Sequence, residues 1–341
     1  MRVAMYYKNN DVRLQEMPTP KIGPGELLLK TQASGICGSD VLEWYRIKKA
    51  PLVLGHEVTG EVTQVGEGVS KYKVGDRVAV SHHVPCNTCR YCLAGNHTVC
   101  ETLHTTNFDP GGFAEYIRVP QINVDRGVFV LPPEVSYEDG SFMEPLACVV
   151  RGQRLANLKP GQTVLVLGSG ISGLLHVMLA KALGAGRIIA TDVSEYRLKA
   201  AKELGADAVI NAKDDVPARL RELNGGNLAE LVIVCTGAMP AFAQAMKSVD
   251  RGGTLMYFAT TSPGETLPVP INDYWRNGIT LLPSYANSPQ DAEVSLSLIR
   301  SGKVPVQKLI THRLGLADTG KGFQLVAGAG ESIKVIIELQ R

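Results

Sequence analysis

The sequence predicts an α/β protein of two domains, one rich in antiparallel β-strands and the other a doubly wound parallel sheet with helices on both faces. Three observations carry this. Short β-type runs broken by glycine and proline fill the first ~140 residues. Strand-like and helix-like segments then alternate from Thr163 to Leu282, and the alternation stops near Asn287. At 341 residues the chain is long enough for two domains of roughly 150 residues each.

In the first domain Glu26–Thr31, Val58–Val65, Arg77–Val80 and Phe113–Val119 read as strands. Thr163–Leu167 is a continuous apolar run of the kind a strand buried on both faces requires, and a helical pattern from Ser172 to Leu183 follows it. Arg187–Ala190, Ala208–Ile210, Leu231–Val234, Gly253–Phe258 and Ile279–Leu282 continue the strands, with helices over Glu195–Leu204 and Pro240–Val249. A helix at Asp291–Ile299 and a strand-like Ile333–Leu339 close the chain. Both chain ends are expected to share one domain, 1–148 with 288–341, with the parallel-sheet domain, 149–287, inserted between them.

Composition narrows the function classes. The chain is 45% hydrophobic and 20% charged, which excludes disordered and fibrous proteins. Thirty-five Lys and Arg oppose thirty-three Asp and Glu for a formal charge of +2, with no long run of one sign to attract nucleic acid or an acidic membrane. No apolar stretch reaches the ~18 residues of a membrane span, and Met1–Tyr7 lacks a signal-peptide core. A cytoplasmic protein acting on a small neutral or weakly charged ligand is expected.

Directly after the buried run comes Gly168-Ser169-Gly170-Ile171-Ser172-Gly173, a G-x-G-x-x-G that opens a predicted helix. The first glycine permits a tight turn, the second lets backbone approach a pyrophosphate, and the third lets helix and strand pack closely. Asp192 ends the next strand 19 residues on, where a carboxylate accepts hydrogen bonds from ribose hydroxyls and repels a 2′-phosphate, so NAD is favoured over NADP. Arg197 stands nearby to stack on adenine or to pair with a 2′-phosphate. Thr236, Phe258 and Ala259 follow two of the strands and are expected to hold the nicotinamide.

Four of the seven cysteines, Cys86, Cys89, Cys92 and Cys100, fall within fifteen residues among turn formers. In a reducing compartment such a cluster holds metal rather than disulfides. Four thiolates close a tetrahedral zinc shell and leave no open position, so the site stiffens a loop and does not catalyse. An iron–sulfur cluster also uses four cysteines, but no second cluster signature accompanies this one.

A second set is assembled from distant residues: Cys37 in Cys37-Gly38-Ser39-Asp40, His56 and Glu57 in Gly55-His56-Glu57, and Glu144 in Glu144-Pro145-Leu146. Mixed sulfur, nitrogen and oxygen donors suit zinc with a position left open. Singly each has a plain explanation, as a small buried Cys, a satisfied core His or a surface Glu. Together with Gly60, Gly66, Val69, Gly75, Asp76 and Val78 after Gly55-His56-Glu57, and with the cysteine lobe and glycine loop, they resemble the zinc-dependent medium-chain alcohol dehydrogenases over essentially the whole chain.

The resemblance implies a GroES-like catalytic domain with a Rossmann NAD-binding domain, and an oxidoreductase interconverting a secondary alcohol and its ketone. Within the family, Glu144-Pro145-Leu146 looks like the sorbitol and polyol branch. By the same resemblance Cys37, His56, Glu57 and Glu144 form the catalytic-zinc set and Ser39 takes the alcohol proton. Asp40 would orient the zinc-bound histidine, the cysteine lobe would hold a second, structural zinc, and the chain would form a homodimer or homotetramer.

Two departures stand out. Leu42 occupies a place where polyol dehydrogenases often carry a histidine, so the proton route would pass through Glu43 or water. Ser284-Tyr285-Ala286-Asn287 replaces an Arg-Tyr-x-Asn motif, and a similar serine occurs in polyol-phosphate relatives. Arg46, Lys48 and Lys49 lie close in sequence to the metal set, where they would suit a phosphorylated or acidic substrate, although short basic runs are commonly solvated loops. An L-threonine 3-dehydrogenase-like enzyme is the nearest alternative. A zinc-ribbon nucleic-acid-binding protein is disfavoured by the near-neutral charge, and a fold that lost its catalytic zinc by the intact Cys37, His56 and Glu57.

Overall fold

The computed structural model describes all residues, Met1 to Arg341. The chain forms two compact units, Met1–Ala147 with Asn287–Arg341, and Cys148–Ala286.

The first unit is built on a seven-stranded sheet. Its path runs Ile310–Gly315, Lys334–Glu338, Leu27–Gly35, Glu57–Val65, Arg77–Ser81 and Val128–Val130, with Tyr116–Val119 also pairing Leu27–Gly35. All pairs are antiparallel except Ile310–Gly315 with Lys334–Glu338. A three-stranded sheet of Asp11–Glu16, Arg2–Lys8 and Leu52–Val53 packs its apolar side into the same core, where Tyr6, Leu29, Val62, Phe113, Phe323 and Val335 are almost wholly buried. Each such side chain contributes roughly 1.5–3 kcal/mol over its exposed state. The register sets Gly35 opposite both Glu57 and Ile336, so three strands from distant parts of the sequence meet at one place.

The second unit is a six-stranded sheet, parallel throughout, in the order Ala208–Asn211, Arg187–Asp192, Thr163–Leu167, Ala229–Val234, Val249–Tyr257, Thr280–Pro283. The first strand in sequence lies inside the sheet, because the chain builds outward on one side and then returns to build on the other. Every residue of Thr163–Leu167 is buried, which is why that stretch reads as unbroken apolar. The strand order reverses between Thr163–Leu167 and Ala229–Val234, whose ends pair at Leu167 and Val234. Ligands of such sheets bind beyond the strand ends at this switch point.

Several elements lie outside the sequence reading. Helix Val216–Leu223 has two local signals, a proline in its first turn and an Asp215 cap that accepts Ala218 N–H at 3.1 Å. Strand Ile310–Gly315 alternates weakly because none of its residues is fully buried. The expected strand from Gly253 begins earlier, at Val249, through a register shift opposite Ala229–Leu231.

The glycine loop tests how tightly this switch point is built. A Cβ on Gly173 would stand 1.8 Å from the Gly168 carbonyl oxygen, which is backbone and cannot rotate away, whereas a Cβ on Gly170 would meet only Arg197 Nη1 at 3.9 Å. Gly173→Ala should therefore lower stability by about 1–3 kcal/mol, read as a fall in Tm. Gly170→Ala should fold with a near-normal Tm yet bind dinucleotide more weakly by calorimetry, since its methyl group occupies open space a pyrophosphate would approach.

Candidate active site and metal centres

Gly35 opposite Glu57 explains how Cys37 and His56 converge, because each is one or two residues past that cross-strand pair. Gly35 must lack a side chain, since its Cβ would stand 2.0 Å from Glu57 Oε2 and 2.6 Å from Lys334 Cε. Beyond it the 3₁₀ turn Gly38–Val41 is capped by Cys37, whose Sγ accepts the Ser39 N–H at 3.5 Å. Cys37 N–H donates to Asp40 Oδ2 at 3.0 Å, and fully buried Asp40 turns its Oδ1 to His56 Nδ1 across 3.3 Å.

Donor atoms of Cys37, His56 and Glu57 lie within 4.8 Å of one another. The set fits a metal ion on three grounds. Sulfur, nitrogen and oxygen donors together suit zinc. Glu57 Oε1 is buried with no hydrogen-bond partner. Although burial works against it, His56 is held well above its ordinary pKa by Asp40 and Cys37, which mark the place as one that attracts positive charge. Asp40 on the ring nitrogen is the acceptor that a metal-binding histidine requires.

Lys334, which the sequence did not announce, and Arg46, seen there only as part of a basic run, complete this centre. Lys334, with none of its side chain exposed, donates to Glu57 Oε2 and to the Ile36 carbonyl oxygen at 3.1 Å, and lies 5.7 Å from the Phe142 ring. A buried carboxylate needs such a cation. Arg46 donates from Nε to the Ser39 carbonyl at 3.0 Å and from Nη2 to Ser39 Oγ at 3.3 Å. A guanidinium never accepts, so the Ser39 hydroxyl takes a bond from Arg46 and keeps its own hydrogen for another partner. Of the two routes considered for the proton, Glu43 or water, Glu43 is exposed and makes no hydrogen bond to Ser39.

Glu144 sits in the first turn of helix Met143–Leu155 and is largely buried. It stands outside the 4.8 Å cluster, and its Oε1 accepts Asn287 Nδ2 at 3.4 Å. His82 and His83 extend the centre: the His56 and His82 rings are 4.8 Å apart and those of His82 and His83 3.8 Å. Burial holds His83 neutral, down to about 3, and lowers His82 well below its ordinary value.

Cys86, Cys89, Cys92 and Cys100 also bring their sulfurs within 4.8 Å of one another, and none forms a disulfide. Sγ of Cys92 is 3.5 Å from that of Cys89 and 3.9 Å from that of Cys86. Backbone N–H groups of Thr88 and Cys89 point at Cys86 Sγ from 3.4 and 3.2 Å, and bonds from Thr88 and Cys89 hold that thiol down to about 5. Four sulfurs gathered within 4.8 Å without bridging are suited to a metal ion.

In the second unit Gly168 takes φ +93°, the left-handed region, and helix Ile171–Ala182 starts at Gly170. Asp192, at the end of its strand, accepts Ser169 N–H at 2.8 Å and Ser194 N–H at 2.9 Å. Arg197 lies beside the loop, and its buried Nε has no partner, so the loop offers open backbone and an uncompensated guanidinium suited to a phosphate. Ile171 and Ser172 form the first turn of the helix. Thr236 follows the strand that pairs with Thr163–Leu167, and Phe258 and Ala259 both donate N–H to the Val234 carbonyl, at 3.1 and 2.9 Å. Phe258 packs edge-on against buried His176, centroids 4.6 Å apart.

Residues 23–128 match the alcohol dehydrogenase GroES-like domain and residues 172–301 the zinc-binding dehydrogenase domain. Sorbitol dehydrogenase of Gallus gallus is 33% identical, over 98% of this chain and 95% of that one. A probable D-xylulose reductase A of Aspergillus clavatus is 34% identical, over 96% and 94%. A Sinorhizobium meliloti protein described as a zinc-binding dehydrogenase and solved with NADP superposes with a TM-score of 0.88, at 27% identity over 99% of both chains. The chain belongs to the zinc-dependent medium-chain alcohol dehydrogenase family, and it is an alcohol oxidoreductase that works with zinc and a nicotinamide dinucleotide.

Proposed function

We propose that the protein is an NAD-dependent polyol dehydrogenase, interconverting a secondary alcohol of a polyol, sugar alcohol, polyol phosphate or cyclitol with its ketone. The observation that carries this reading is the meeting of Cys37, His56 and Glu57 beside Ser39 and Asp40, in a chain whose relatives include sorbitol dehydrogenase and D-xylulose reductase. Glu144, rather than a cysteine, after Met143 agrees with the polyol branch.

Cys37, His56 and Glu57 would hold the catalytic zinc, with Glu144 as a further carboxylate for it, and Cys86, Cys89, Cys92 and Cys100 a structural one. Zinc supplies Lewis-acid polarisation of an alcohol oxygen, and NAD accepts the hydride. Asp40 fixes the His56 ring so that its other nitrogen is the donor. Ser39 receives the alcohol proton on Oγ and releases its own hydrogen to water, since Arg46 on its other side cannot take one. The dinucleotide would lie over Gly168, Gly170, Ile171, Ser172 and Gly173, with its adenosine ribose on Asp192, Arg197 beside it, and its nicotinamide against Thr236, Phe258 and Ala259.

Two further readings accompany this one. A homodimer or homotetramer is supported by Thr280–Pro283, which lies at the end of its sheet with one side unpaired. A cytoplasmic location is supported by the four-cysteine lobe, whose gathered sulfurs suit metal binding in a reducing compartment.

Absorbance of NADH over a panel of polyols, cyclitols, polyol phosphates and L-threonine tests the assignment: polyols should be oxidised and threonine should not. Turnover of threonine alone would replace it with the amino-alcohol alternative. Metal analysis should find about two zincs per chain, falling to one in Cys37→Ser with loss of activity, and to one in Cys100→Ser with a lower Tm but chemistry retained at folded sites. Asp192→Ala should weaken NAD by about tenfold or more while weakening NADP far less, measured by calorimetry. Equal loss of both would remove Asp192 from the ribose.

A further inference from the structure

We propose that the polyol this protein handles carries an anionic group, a carboxylate or a phosphate ester, and that Arg46 binds it. The inference rests on the polyol-dehydrogenase reading and narrows its substrate class.

Arg46 ends the short helix Glu43–Arg46, and its contacts to the Ser39 carbonyl and hydroxyl fix the guanidinium plane beside the group assigned to the substrate oxygen. Nη1 makes no hydrogen bond within the protein, and the side chain is 16% exposed. A guanidinium carries five N–H donors in a rigid fork, so with Nε and Nη2 turned inward the Nη1 edge remains to meet an oxygen-rich partner.

The protein supplies too little negative charge to satisfy it. The single carboxylate within 4.0 Å of Arg46 is Asp40, at 3.6 Å; that group is fully buried, already accepts Cys37 N–H and faces His56. Glu43, one turn earlier on the same helix, forms no ion pair with Arg46. Lys48 and Lys49 follow, both exposed and without a carboxylate in reach, and Lys49 shares the Tyr45 ring with Arg46, at 5.7 and 4.6 Å. Glu43–Lys49 thus sets three cations against one acid in a chain whose whole formal charge is +2. A merely solvated loop accounts for Lys48. It does not account for Arg46, which is held by the Ser39 hydroxyl next to the metal-binding cluster.

A neutral polyol offers this edge only neutral hydroxyls, whereas a carboxylate or phosphate forms charge-assisted bonds roughly twice as strong and matches the fork in shape. The anion contributes mainly to binding, because its charge does not change as the hydride leaves.

Rates of NAD reduction with D-sorbitol, D-sorbitol 6-phosphate and D-gluconate test this, alongside calorimetry of each compound and of NAD with the purified protein. At least one anion should exceed sorbitol in kcat/KM by about tenfold or more, the gain appearing in KM, and the two anionic arms tell phosphate from carboxylate. Arg46→Met should abolish that advantage, Arg46→Lys should restore part of it, and neither should change NAD affinity. Three results would overturn the proposal while leaving the polyol reading standing: sorbitol outrunning both anions, an equal loss for all three substrates in Arg46→Met, or loss of NAD binding in that variant. If no polyol is oxidised the polyol reading falls, and calorimetry alone then decides: anion binding that Arg46→Met removes supports the site, and its absence overturns it.

Discussion

Asp40 is the constraint on which the rest of the candidate metal centre depends. A carboxylate with no exposed surface is tolerated only if donors and cations are brought to it. Asp40 receives the Cys37 N–H, faces the His56 ring and lies 3.6 Å from Arg46. Satisfying one buried charge therefore orients a thiol, an imidazole and, through Arg46, the Ser39 hydroxyl. The backbone makes this possible because Leu27–Gly35 and Glu57–Val65 pair in a register that ends with Gly35 against Glu57. A slip of one residue would turn Glu57 to the opposite face and part it from Cys37.

A second buried charge is handled in the same way from a third strand. Lys334 lies two residues before Ile336, which pairs with Gly35, and it closes on Glu57 in the space that glycine leaves. The buried ion pair is no evidence of added stability, since desolvating both groups offsets much of their attraction. Its consequence is positional: one carboxylate oxygen is committed to Lys334, and the other is left without a protein partner inside the donor cluster.

How far the sequence disclosed this follows from how local each signal is. The cysteine lobe and the glycine loop are contiguous, and their chemistry can be read from spacing because the turns that gather them are formed by the same residues. Strands buried on both faces, such as Thr163–Leu167, announce themselves by unbroken apolar content. Lys334 and Glu57 lie 277 residues apart, so no spacing rule joins them, and a lysine near the chain end reads as a surface residue until the strand register is known. Arg46 was visible as part of a basic run, but its bond to Ser39 depends on the turn after Cys37 and the short helix after Leu42. Glu144 is a different case. Its sequence context marks it for the metal set, yet its carboxylate is engaged with Asn287 outside the three-residue cluster.

The charges of the first unit's centre can be read together. Glu57 is countered by Lys334, and Asp40 is shared between Arg46 and His56. Both carboxylates are thus answered by side chains, and burial lowers His83 and His82 so that neither imidazole adds positive charge of its own. A divalent ion added to this balanced set would favour an oxygen that becomes anionic as its proton leaves over one that stays neutral. The side chains that would hold such an ion are already fixed by backbone and by one another, so little reorganisation would accompany the reaction.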